Sequence, residues 1–141
     1  MTLEAGHKGY VAGVLDCDGA IWISADHSRQ SARYMMRVSV SNTCRGLLDF
    51  FAEHFGGRVN RYKKHSHKWK DEYRWNTNGL PAAEILNSCL PYLVIKRPQA
   101  MLALEFATTI QPGQSRIPES FRQMRERIYR EMLELNKRGP K

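Results

Sequence analysis

The chain has 141 residues, enough for one compact domain with a real core, and its 42% hydrophobic and 26% charged residues are ordinary for a globular protein. With 22 Lys and Arg against 14 Asp and Glu, a net charge of +8, the expected partner is a polyanion, foremost nucleic acid. No apolar run approaches the roughly 18 residues of a membrane span, no targeting segment is legible at the N-terminus, and the scattered Cys17, Cys44 and Cys89 fit neither a disulfide framework nor a zinc knuckle.

The three cysteines read as reduced core thiols of a chain kept in a reducing compartment, cytoplasmic or organellar. Residues 7–17 read as a short helix. Gly9, Ala12, Gly13 and Asp16 share one face by their i, i+3, i+4, i+7 spacing, while Tyr10 and Val14 lie elsewhere and can enter the core. Glycine costs a helix about 1 kcal/mol relative to alanine, so two on one bare face need a reason. Close packing against a second helix at a subunit interface is the favoured one, and a helix crossing inside one core is the alternative. Gly19 is expected to end the helix in the left-handed region.

Asp16 and Asp18 stand at the negative end of that helix, where an anion loses about 0.3–1 kcal/mol. Two residues apart, they point in different directions. One reading is that a cation neutralises them. Oxygen ligands then select a hard divalent ion such as Mg²⁺, and the unpaired carbonyls of the helix end add donors. The other reading is that one acid caps local backbone and the other is a solvated turn residue.

Residues 20–26 and 33–41 alternate as strands around the polar turn "HSRQSA". Ile21, Ile23 and Ala25, then Tyr34, Met36, Val38 and Val40, form the apolar faces. Thr43 is the expected N-cap of a second helix, with a buried stripe of Leu47, Leu48, Phe51, Ala52 and Phe55 ending at Gly56-Gly57. Strands at about 58–64 and 70–77 flank the basic loop "KHSHKWK". Helices follow over 81–90, from Pro98 to about Thr109, and, after a Pro/Gly break, over 119–137. The last has Phe121, Met124, Ile128, Met132 and Leu135 as its core stripe. The order αββαββα plus terminal helices predicts an α+β fold: one domain over 1–141 with an antiparallel four-stranded sheet and helices on one face.

The sheet face away from the helices then carries Trp22, Ser24, Asp26, Arg33, Arg37, Ser39, Asn60, Tyr62, Arg74 and Asn76. Either this is an ordinary solvated face, or it is a β-ribbon for the DNA major groove, where Arg pairs with guanine and Asn with adenine. The net charge favours DNA. Lys63, Lys64, Lys68 and Lys70 bracket the hairpin and suit phosphates, which set position and salt dependence rather than sequence. His65 and His67 among them are assigned to backbone contact before metal. Arg122, Arg125 and Arg130 on the last helix either reach flanking DNA or are solvated charge.

Residues 11–19, "VAGVLDCDG", resemble the signature of the LAGLIDADG homing endonucleases. Ala12, Gly13, Asp16, Asp18 and Gly19 match it letter for letter. Val11, Val14 and Leu15 replace one aliphatic residue by another, and Cys17 stands where Ala or Gly is usual. The similarity continues at "VSVSNT" (38–43), "FGGRV" (55–59) and "LPYLVIKRPQA" (90–100), roughly the first 110 residues. It implies the αββαββα fold with a saddle-shaped sheet. Because one copy of the motif is present, it also implies a homodimer whose motif helices pack about a two-fold axis through Gly9, Ala12, Gly13 and Asp16. By the resemblance, Asp18 is the metal-binding catalytic acid, the Cys17 carbonyl a further ligand, and Asp16 structural, turned toward its own backbone. Lys96 matches the active-site lysine. Asn42 sits where a polar residue often holds a water, and Arg45 is a weaker neighbour. The implied activity is hydrolysis of both strands of a long pseudo-palindromic double-stranded DNA site with Mg²⁺ (or Mn²⁺). The alternatives on this scaffold are an RNA-binding maturase, with RNA as a second partner, and a DNA-binding protein that has lost cleavage. The presence of both Asp18 and Lys96 weighs against the latter.

Overall fold

Alternating side chains dictate the sheet. Ile21 and Ile23 share one face with Met36, Val38 and Val40, and all five are buried. A computed structural model describes residues 3–64, 68–113 and 116–137. The elements are α1 (Ala5–Asp18), β1 (Gly19–Asp26), β2 (Arg33–Asn42), α2 (Arg45–Phe55), β3 (Val59–Tyr62), β4 (Glu72–Asn78), α3 (Gly79–Cys89), a 3₁₀ turn (Leu90–Tyr92), α4 (Arg97–Ala107) and α5 (Glu119–Leu135). The strands lie in the order β1-β2-β4-β3, every neighbour antiparallel. This is the α+β, αββαββα arrangement expected from the sequence, with the helices over the apolar face.

Trp75 of β4 is the largest fully buried side chain. Its indole N–H donates to the Gly56 carbonyl at 2.8 Å, and its ring packs on Phe51 and Phe55 at 5.2 and 5.9 Å. That fixes how the end of α2 meets the sheet. The chain leaves α2 through Gly56 and Gly57, with φ of 79° and 84°, which a side chain would resist. On the far side α5 packs on α4 and β1, and the Asn136 side chain donates to the Ile21 carbonyl at 2.9 Å.

Several local expectations are corrected. Gly19 is extended (φ −90°, ψ 163°), not left-handed. It is needed because an added Cβ would lie 2.7 Å from the Leu15 Cα and carbonyl oxygen, so the strand leaves the helix too closely for a side chain. Thr43 does not cap α2. The amide ahead of that helix, on Cys44, donates to the Asn42 side-chain oxygen at 2.7 Å. Tyr10 stays half exposed, edge-on to Phe50 at 5.0 Å. Of the cysteines only Cys89 is a core thiol, and burial pushes its pKa to about 11; Cys17 and Cys44 are exposed. Among the described residues no helix is long and apolar enough to cross a membrane.

Candidate active site

The two aspartates of α1 have different fates because they point different ways. Asp16 is nearly buried, and its carboxylate accepts three backbone N–H groups: Val94 at 2.9 Å, Ile95 at 3.0 Å and Lys96 at 2.9 Å. These amides lie just before α4, where no helical carbonyl can take them. Arg97 grips the same turn from the other side, donating to the Leu93 and Pro91 carbonyls, both at 3.0 Å. Asp16 is thus bound to backbone, but to that of a turn almost eighty residues away rather than its own.

The clamp delivers Lys96. With its own N–H held by Asp16, its ammonium donates to the Asp16 carbonyl oxygen at 3.0 Å. A cation there opposes the negative end of α1. Asp18, one step beyond, is exposed, and its Oδ2 accepts the Asn42 side-chain N–H at 3.0 Å. Asn42 can only be oriented this way. Its oxygen is taken by the Cys44 N–H, which leaves its amide nitrogen for Asp18. The end of β2 therefore aims one Asp18 oxygen and leaves the carboxylate open to solvent. Cys17 is exposed beside it. Arg45 is engaged locally, 3.5 Å from Asp49 and 5.9 Å over the Tyr73 ring.

The proposed interface face divides. Ala12 is fully buried and Asp16 nearly so, both against this chain's own core, so neither is available to a partner. At 3.6 residues per turn the outward side of α1 runs instead through Gly6, Gly9 and Gly13, with Tyr10 and Cys17 exposed. A Cβ added at any of these three glycines meets no atom within 4 Å.

Strand register sets the ten expected polar residues on one open sheet face. Trp22 lies opposite Arg37, Asp26 opposite Arg33, Ser39 opposite Asn76, and Asn60 opposite Arg74. Five neighbours on this face were missed: Ala20, Met35, Ser41, Glu72 and Asn78. Continuing the alternation to the strand ends finds Ala20, Ser41, Glu72 and Asn78, and Met35 falls in the same alternation between Arg33 and Arg37. Several members are already held in place. Arg37 Nε donates to Ser24 Oγ at 2.8 Å. Arg74 pairs with Glu72 at 2.7 Å and lies over the Tyr62 ring at 4.2 Å. Asp26 accepts the Ser28 N–H at 2.9 Å, and its hydrogen bonds with Ser28 hold its carboxyl below the usual range. Lys63, Lys64, Lys68 and Lys70 are exposed. His65 and His67 lie outside the described residues. Arg125 is not on the outer face of α5 but buried, and Arg130 pairs with Glu126 at 3.0 Å.

No family model matches the chain, and no curated protein matches it by sequence. Solved structures do. The archaeal intron-encoded homing endonuclease I-Vdi141I, complexed with DNA, superposes with a TM-score of 0.77 at 18% identity over 99% of this chain and 89% of that one. The homing endonuclease I-CvuI, in complex with its target in the presence of 2 mM Ca, gives 0.61 at 20% identity over 94% and 96%. The LAGLIDADG meganuclease I-CpaMI, bound to uncleaved DNA, gives 0.62 at 16% identity over 92% of this chain and 45% of that one.

Proposed function

We propose that this chain, which has the fold of the LAGLIDADG homing endonucleases, is a site-specific DNA endonuclease that acts as a homodimer with Mg²⁺ or Mn²⁺. The observation that carries the reading is the convergence of Asp18, Asn42 and Lys96 at the exposed end of α1. They meet in a chain whose open sheet face bears Arg33, Arg37, Arg74, Asn60 and Asn76.

The donor set fits a hard divalent ion in part. Asp18 offers an exposed carboxylate, and the Cys17 carbonyl at the helix end is a further oxygen donor. Among the described residues no three acids, histidines or cysteines cluster together, and a hard divalent ion is commonly held by one or two carboxylates with water and substrate phosphates as its other ligands. The open Gly6, Gly9 and Gly13 side of α1 suits a second copy of that helix, which would bring its own Asp18. The I-CpaMI match, at 45% of that chain, leaves length for a second unit of this kind.

Each side chain then has a task. Asn42 fixes one Asp18 oxygen. Asp16 and Arg97 hold the turn that carries Lys96, whose ammonium opposes charge developing on the scissile phosphate. The sheet reads base edges in each half-site, and the hairpin lysines hold phosphates. When bound, the divalent ion supplies Lewis-acid polarisation of the phosphoryl oxygens and a more acidic water.

The direct test is incubation with the chain's own coding locus, intron or intein removed. Both strands should be cut with Mg²⁺ and neither with EDTA; intact DNA under both conditions overturns the proposal. Raising salt from about 50 to 200 mM should weaken DNA binding by roughly 10³-fold, if about six phosphates are neutralised. Fluorescence anisotropy checks this, and an affinity independent of salt would contradict it. Gly13→Leu should leave the helical circular dichroism intact, since nothing within 4 Å obstructs a side chain there. It should also turn a dimer into a monomer in sedimentation and abolish double-strand cutting. A Gly13→Leu dimer that cuts normally removes the glycine-face interface.

A further inference from the structure

Five arginines converge on one cavity at the end of the sheet. It measures about 920 Å³ and lies between the β1–β2 hairpin, β2 and the first turns of α5. Arg29 comes from the hairpin turn, Arg33 and Arg37 from β2, and Arg122 and Arg125 from α5. Its lining includes one carboxylate, Asp26, which accepts the Ser28 N–H and lies against the charges of Arg29 and Arg33, so five arginines share a single acid. The protein therefore leaves this space strongly positive.

Arg125 shows how incomplete the site is. It is 7% exposed, yet among the described residues its guanidinium meets neutral groups. Nε donates to Thr109 Oγ1 at 2.7 Å, Nη2 donates to the Thr109 carbonyl at 3.0 Å, and the Phe106 ring lies 4.9 Å away. Burial holds its pKa below the usual guanidinium range. A buried charge ordinarily carries a counter-charge, because desolvation costs several kcal/mol when none is supplied. Arg122 is also uncommitted: its described contact is a 3.4 Å hydrogen bond to Ser31 Oγ. Planar guanidinium forks converging on one open space match the oxygens of a phosphate group.

We propose that this cavity binds a phosphate group, and that its source is a phosphodiester of the DNA backbone at the outer edge of the base pairs covered by the sheet, where the open face meets α5. The phosphate chemistry stands on the cavity alone; the DNA source rests on the function proposed above. The site would add a backbone contact at that edge of each half-site, using a helix that lies outside the open sheet face.

The test uses the double variant Arg29→Ala/Arg122→Ala, two exposed side chains whose loss leaves the core untouched; an unchanged melt in phosphate-free buffer confirms folding. Two quantities are compared with wild type: the rise in Tm caused by inorganic phosphate at constant ionic strength, and the salt slope of affinity for a long duplex. The proposal expects the phosphate response to vanish and the slope to shrink by about one, the share of a single phosphate contact. A lost phosphate response with an unchanged slope overturns the DNA source and leaves a free phosphate site. An unchanged response and slope overturn the site altogether. If wild type binds no DNA yet loses its phosphate response on substitution, the endonuclease reading fails while the cavity assignment survives.

Discussion

Asp18→Asn is expected to abolish strand cleavage and leave DNA binding intact. The substitution keeps the shape of the side chain, and its amide oxygen can still accept the Asn42 N–H that now reaches Asp18 at 3.0 Å. It removes the negative charge that would hold a divalent ion. Losing that ion forfeits several kcal/mol of stabilisation, and about 4 kcal/mol is roughly a 10³-fold loss of rate. The groups assigned to DNA, on the open sheet face and in the hairpin, are untouched. Single-turnover cleavage and anisotropy on one preparation separate the two effects. Cutting at the wild-type rate would falsify the assignment of Asp18, whatever the affinity.

Asp16→Ala should behave in the opposite way, through the fold before the chemistry. It strands three partly buried N–H groups, on Val94, Ile95 and Lys96. Each unsatisfied amide costs about 1–3 kcal/mol, and partial access to water places these near the low end, about 3 kcal/mol together. For a chain of this size that lowers Tm by roughly 10 °C. Asp16→Asn keeps one oxygen where Ile95 and Lys96 donate but turns an N–H₂ toward the Val94 N–H, so it should fall between wild type and alanine. Were Asp16 instead a metal ligand, all its substitutions would reduce cleavage with the melting curve unmoved. Thermal denaturation with cleavage rates on the same variants decides between these outcomes.

Much of the sheet was legible because strands alternate with a period of two. Once Ile21 and Ile23 or Val38 and Val40 are recognised as apolar, Trp22, Arg37 and Ser39 must face the other way. The helical stripe of α2 and its glycine exit were readable for the same reason: neighbours in sequence are neighbours in space. The motif at residues 11–19 singled out the acids, and the resemblance singled out Lys96. What failed were readings that depend on how elements meet. The helical wheel grouped Gly9, Ala12, Gly13 and Asp16, but packing buried Ala12 and Asp16 in this chain's core and left the glycines outside. Arg125 looked like surface charge and is enclosed between α5 and the end of α4.

The sequence by itself determined the order of the elements, the polar sheet face and the presence of two acids at a helix end. Only the tertiary structure decided which acid does what. Asp16 is bound to amides almost eighty residues away, and Asp18 is aimed by Asn42 from the end of β2. The physical reason is that periodicity is written in local side-chain spacing. A carboxylate's hydrogen-bond partners are supplied instead by whichever backbone the completed fold carries to it.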